Sequence, residues 1–134
     1  MKMVIKTGII PEKEQIISLY DDAGWTAYTD EPDLLMEAIK NSLKVWTLWD
    51  GEKLIGLART VGDGATICYL QDILLLKAYQ GQGLGSDLLK EIMKENKQIR
   101  QFILLTEDSE KTKNFYKKAG LSEVGDFSCL AFMW

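Results

Sequence analysis

Three glycines in five residues, Gly81, Gly83 and Gly85, stand between an apolar run and an amphipathic pattern, and they constrain this chain more than any other feature. Upstream, Ile73-Leu74-Leu75-Leu76 is apolar without alternation, as in a strand buried on both faces. Downstream, Leu84, Leu88 and Ile92 form one stripe beside Leu89 and Met93. A strand, a tight loop and a helix are therefore predicted, in that order. Glycine keeps Cβ atoms out of the path of a bulky anion. The free N–H groups and positive dipole end of a helix N-terminus suit a phosphate. The ligand class implied is a phosphate-bearing cofactor.

Two common glycine-loop chemistries fail on the letters. A nucleoside-triphosphate loop needs a lysine after its last glycine, and Ser86 follows Gly85. A dinucleotide fingerprint needs its third glycine one place later than Gly85, within a fold that 134 residues hardly complete. What remains is Q-x-x-G-x-G over Gln80–Gly85.

The length fits one domain, 1–134, with a single core. The net charge of −4 argues against nucleic acid as the main partner, because phosphate neutralisation needs clustered cations. No apolar run reaches about 18 residues and no signal-peptide layout opens the chain, so a cytoplasmic protein without a membrane segment is expected. Histidine is absent, which removes His-based triads and argues against a zinc site. Cys68 and Cys129, without C-x-x-C spacing, read as reduced small hydrophobes.

Met3–Thr7 reads as a strand. A helix follows to about Asp22, with Pro11 in its first turn and Ile16, Ile17, Leu19 and Tyr20 as its buried side. After a loop over Gly24–Thr29, Asp30 is expected to cap a second helix carrying Leu35, Ile39 and Leu43 on one face. Val45–Trp49 and Lys53–Thr60 flank the hairpin signal Asp50-Gly51. A second turn, Val61–Gly64, leads to the strand Ile67–Leu76. After the loop, a helix over Gly83–Glu95, a buried strand Phe102–Leu105, a helix Glu110–Lys118 ended by Gly120, and closing strands within Val124–Trp134 complete the pattern. The order β-α-α-β-β-β-α-β-α-β, with the last strand open to division in two, predicts an α/β fold of mixed type, a central mixed sheet flanked by helices.

Downstream of the glycine loop lies Lys113-Asn114-Phe115-Tyr116-Lys117-Lys118-Ala119-Gly120-Leu121. Together with Gln80–Gly85 and the element order, this segment resembles the GNAT superfamily of acyl-CoA-dependent N-acetyltransferases over nearly the whole chain. The resemblance implies a GNAT-like fold, acetyl-CoA as cofactor without a metal, and transfer of acetyl to a primary amine by direct attack in a ternary complex. It implies that Gln80, Gly81 and the amides of Gln82, Gly83, Leu84, Gly85 and Ser86 hold the pyrophosphate. In the family the strand before the loop splays from its neighbour. That carries to the main chain of Ile73 and Leu75, gripping the pantetheine arm and polarising the thioester carbonyl. Asn114 is implied as a further cofactor contact, and Tyr116 as the acid that protonates the departing thiolate, its phenol being protonated at neutral pH.

The base that deprotonates the amine is expected to be Asp72, on the central strand beside the acetyl site, with Glu107, just after the next strand, as the second choice and an ordered water as the remaining one. Strand alternation is expected to put Leu70, Asp72 and Leu74 on one face. In relatives the loop carrying Trp25 and Tyr28 walls the acceptor site. Beside Asp21 and Asp22, these aromatics suit an amine with some apolar character, small molecule or peptide. The acceptor itself is not legible, and a homodimer is among the assemblies that the resemblance allows. A silent acyl-CoA-binding sensor or interaction module is the alternative, and amine-dependent thioester cleavage separates the two.

Overall fold

The computed structural model describes residues 3–134. One five-stranded sheet organises them, in the order β1-β2-β3-β4-β5. β1 (Met3–Thr7), β2 (Lys44–Asp50), β3 (Lys53–Gly62) and β4 (Ile67–Leu75) run antiparallel to their neighbours, and β5 (Gln101–Ile103) lies parallel to β4. The helices are α1 (Lys13–Asp22), α2 (Thr26–Thr29), α3 (Pro32–Lys40), α4 (Leu84–Glu95) and α5 (Glu110–Lys118). The mixed α/β sheet flanked by helices is the fold class read from the sequence. Among the described residues, no helix is long and apolar enough to cross a membrane.

Two apolar clusters hold the layers together. Ile16, Leu19 and Tyr20 of α1 and Leu35 and Ile39 of α3 pack with Leu54, Ile55, Leu57 and Leu74. Leu88, Leu89 and Ile92 of α4 pack with Trp46, Ala58 and Leu70. Each fully buried aliphatic side chain contributes about 1.5–3 kcal/mol, so the spacing that buries three on α4 is what seats that helix and its N-terminus. The β2–β3 hairpin turns at Gly51, whose φ of 60° is cheap only without a Cβ.

Several boundaries differ from the sequence pattern. Pro11 precedes α1, which starts at Lys13 with Glu12 as its N-cap, and Ile17 is only partly buried. The segment Gly24–Thr29 contains the short helix α2. Glu31 and not Asp30 precedes α3, without a side-chain cap, and Leu43 lies beyond its end, exposed. β3 continues through Gly62, moving the turn to Asp63, whose carboxylate accepts from the N–H groups of Ala65, Thr66 and Ile67. β5 covers only three residues, of which Phe102 is half-buried against the α4 cluster while Gln101 and Ile103 are exposed. The closing strands are absent: Val124–Phe127 forms a 3-10 turn, and Ser128–Trp134 carries no regular structure.

The most consequential difference is a bulge in β4. Arg59 faces Asp72 while Thr60 faces Leu70, so Gln71 is the extra residue. One added residue reverses the side-chain alternation beyond it. Leu70 accordingly packs on α4, while Asp72 meets Tyr20 of α1, and the two do not share a face as the strand pattern had predicted.

Candidate active site

An open cleft of about 1360 Å³ runs between the end of β4, the start of α4 and the inner face of α5. It exceeds the roughly 300–1,000 Å³ of ordinary small-ligand sites, leaving room for a long ligand and a second molecule. One end is made of backbone. Gly81 and Gly83 both have φ of 84°, and a Cβ built on either meets open space, so the bare backbone faces outward. Gly83 is the N-cap of α4, with no side-chain cap, and Asp87 N–H reaches back to its carbonyl at 3.0 Å. The amides of Leu84, Gly85 and Ser86 precede that first helical bond and point out of the helix end. Gln80 turns inward, its Nε2 donating to the Leu75 carbonyl at 3.0 Å, which ties the loop to the strand.

β4 also frees backbone here. Its parallel pairing with β5 stops at Tyr69–Ile103, so Leu70–Leu75 have no ladder partner on that side, where the cleft opens. Ile73 and Leu75 line it, with Gly81, Gly83, Gly85 and Ser86. Gln82 is exposed and Leu84 packs into the core, so neither side chain lines the cleft.

α5 supplies the opposite wall. Ser109 caps it by accepting from Thr112 N–H at 3.2 Å. Phe115 packs over Gly85, where an added Cβ would sit 3.5 Å from the ring. Asn114 and Tyr116 line the cleft. Burial raises the Tyr116 phenol above its ordinary value near 10, against a smaller opposing contact from Thr106.

The other end is made of side chains. Asp72, buried at 4% exposure, accepts from Tyr20 hydroxyl at 2.9 Å and Arg59 Nε at 2.6 Å through Oδ2, and from Tyr28 hydroxyl at 2.9 Å through Oδ1. Arg59 Nη2 and Gln71 Nε2 donate in turn to the Tyr28 hydroxyl, at 3.1 and 3.3 Å. Burial works against the Arg59 cation, but the adjacent Asp72 carboxylate outweighs it and holds the guanidinium above its usual value. Burial and then the same carboxylate push the Tyr20 and Tyr28 hydroxyls up, so both stay protonated donors. With a guanidinium and two phenols on its oxygens, Asp72 is poorly placed as a base for an incoming ammonium, against the sequence expectation. Glu107 is exposed and lines the cleft.

Trp25 and Tyr28 both line the cleft and stack edge-on to Tyr20, with centroids 5.7 and 5.2 Å away. Asp22 is engaged elsewhere, accepting from Lys77 N–H at 2.8 Å. Sequence reasoning missed Arg59, Tyr20 and Gln71. A signal existed: Arg59 is the one charge in the interior of β3 and Asp72 the one charge in β4, and the two strands are joined by a tight turn, so pairing them satisfies both. It also missed Lys77, Lys111 and Lys118 around the cleft, which give it positive charge on a chain of net −4.

Comparison with known proteins places this geometry. A family model described as an Acetyltransferase (GNAT) domain matches residues 41–121. A solved GNAT-family acetyltransferase of Streptococcus pneumoniae TIGR4 is 34% identical, with a TM-score of 0.88, over 99% of this chain and 97% of that one. A Gibberella zeae protein named as an acetyltransferase is 34% identical over 76 residues, which are 54% of this chain and 42% of its own length, so less than half of that relative is matched. The aminoglycoside acetyltransferase AAC(6')-Iy, solved with a bisubstrate analogue of coenzyme A, has a TM-score of 0.76 at 16% identity, over 100% of this chain and 97% of that one, and shares the fold.

Proposed function

Since the chain belongs to the GNAT acetyltransferase family, we propose that it transfers acetyl from acetyl-CoA to a primary amine, by direct attack in a ternary complex. The observation that carries this reading is convergence. Outward amides at the start of α4, unpaired backbone of β4 and the Tyr116 phenol all face one cleft.

The residues fit the cofactor. The uncapped helix end and the open space at Gly81 and Gly83 form a cradle that a Cβ would fill, suited to a pyrophosphate. The exposed ammonium groups of Lys77, Lys111 and Lys118 add charge of the right sign. Ile73 and Leu75 offer main-chain groups to a pantetheine arm, and Asn114 offers an amide. Acetyl-CoA supplies an acyl group already activated as a thioester. On this chain, a β4 N–H would steady negative charge on the acyl oxygen of the bound cofactor, and Tyr116 would supply the proton that its departing thiolate needs. Glu107, directly or through water, takes the proton that the amine loses. Trp25 and Tyr28 form the acceptor wall, and Arg59, Asp72 and Tyr20 act behind them as positioning residues.

The test is Tyr116→Phe, which keeps the ring and removes the hydroxyl. Turnover in amine-dependent thioester cleavage should fall about 100-fold, with acetyl-CoA affinity and melting temperature little changed. Equal turnover in the two proteins overturns the assignment. Absence of amine-dependent cleavage in the parent protein, with coenzyme A still bound, supports the sensor instead.

A further inference from the structure

The glycine cradle has little of its own to hold it in place. Gln80–Gly83 are exposed, and apart from the Gln80 bond to Leu75 the loop is fixed at its ends. One end is α4, and the other is the 3-10 turn Lys77–Tyr79. The turn closes two backbone bonds, Tyr79 N–H to Leu76 at 2.9 Å and Gln80 N–H to Lys77 at 3.2 Å. A piece this short does not hold itself. Side chains from outside hold it instead. Tyr79 hydroxyl donates to Asp50 Oδ2 at 2.7 Å, beside the turn of the β2–β3 hairpin. Lys53 Nζ sits 5.7 Å from the centroid of the Tyr79 ring, which packs against the cluster that seats α1 and α3. Asp22, the last residue of α1, accepts from Lys77 N–H at 2.8 Å. Tyr79, Asp50 and Asp22 do not line the cleft.

We infer that Tyr79, Asp50 and Asp22 are positioning residues for the cofactor's phosphates, setting where the amides of Gly81–Ser86 stand before any ligand arrives. The inference rests on the acetyl-CoA reading above. Glycine makes the support necessary. Gly81 and Gly83 have many backbone alternatives open to them, and apparent affinity falls with the fraction of molecules held in the binding-competent one. A backbone site is indifferent to the side chains that neighbour it, but it needs fixed ends. Charge sharpens the assignment. Asp22 and Asp50 are carboxylates bonded to residues just ahead of a loop suited to an anion, where their charge alone opposes binding. Their place is explained by what they hold. Position and charge therefore predict opposite signs: deleting either carboxylate weakens the cofactor if it positions, and tightens it if charge alone counts.

The experiment joins coenzyme A calorimetry to backbone amide relaxation of the free protein, on Tyr79→Phe, Asp50→Ala, Asp50→Asn and Asp22→Ala. Tyr79→Phe keeps the ring against the core and removes only the donor. It should weaken coenzyme A about three- to tenfold and lower the order parameters of Gly81–Gly83. It should also raise the acetyl-CoA KM with kcat unchanged. Asp50→Ala and Asp22→Ala should do the same. Combining Tyr79→Phe with Asp50→Ala should add nothing further, since the two act through one bond. Asp50→Asn keeps an acceptor and should recover most of the affinity. Should Asp50→Ala disturb the hairpin, Tyr79→Phe carries the test. Unchanged or raised affinity in Tyr79→Phe, loop amides as ordered as in the parent, or a loss confined to kcat each overturns the positioning role. A parent that binds no coenzyme A overturns the acetyl-CoA reading and this inference with it, whereas a parent that binds, with variants that bind equally, overturns this inference alone.

Discussion

The two ends of the cleft are built from different materials. At the start of α4 the working groups are backbone amides, freed by glycine and left uncapped, and side chains matter chiefly by their absence. Beneath α2 the working groups are side chains from four elements, Tyr20, Tyr28, Arg59 and Asp72, closed into a buried network. A backbone site tolerates change in its neighbours but not a Cβ in its path. A buried charge network tolerates conservative packing changes but not the loss of one partner.

Removing one partner from the network is the harshest way to break that contrast. Arg59→Met leaves the Asp72 carboxylate buried and unpaired, and should cost about 3–5 kcal/mol in denaturant unfolding. Adding Asp72→Leu should restore most of it while the acceptor KM stays raised. No recovery in the double variant would mean that the pair is needed for more than charge balance.

At the backbone end, Gly83→Val forces a branched residue to φ 84° at the N-cap and sets its methyls before the amides. Acetyl-CoA affinity should fall at least about tenfold, about 1.4 kcal/mol, with a smaller loss of stability. Undiminished affinity by calorimetry removes the phosphate role of the loop.

Tyr28→Phe probes where network and cleft meet, and the effect should be the smallest of the three. The lost hydroxyl donates to Asp72 and accepts from Arg59, so about 1 kcal/mol of stability should go. The acceptor KM should rise a few-fold with kcat and acetyl-CoA binding unchanged. A matching loss in kcat would place Tyr28 in the chemistry itself.

The same contrast explains what the sequence made legible. The glycine loop, Phe115-Tyr116 and the stripe on α4 are local patterns, and a helix start or an amphipathic face is fixed within a few residues. Tyr20, Arg59 and Asp72 come together from α1, β3 and β4, and no window of sequence contains them. The Gln71 bulge decides which way Asp72 faces, and strict alternation concealed it. The tail misled in the opposite sense: Phe127–Trp134 has the composition of a strand, but a strand needs an edge to pair with, and this one lies off its own sheet.

The division of labour within the cleft is tested most directly by amide chemical shifts recorded as coenzyme A is titrated into the protein. The largest changes should fall on Gly81–Ser86 and on Ile73 and Leu75. The Arg59 guanidinium resonance and the amides of α1 should stay nearly fixed. Failure to bind, or changes centred on Tyr20, Tyr28 and Arg59 with the glycine loop unmoved, would contradict the account.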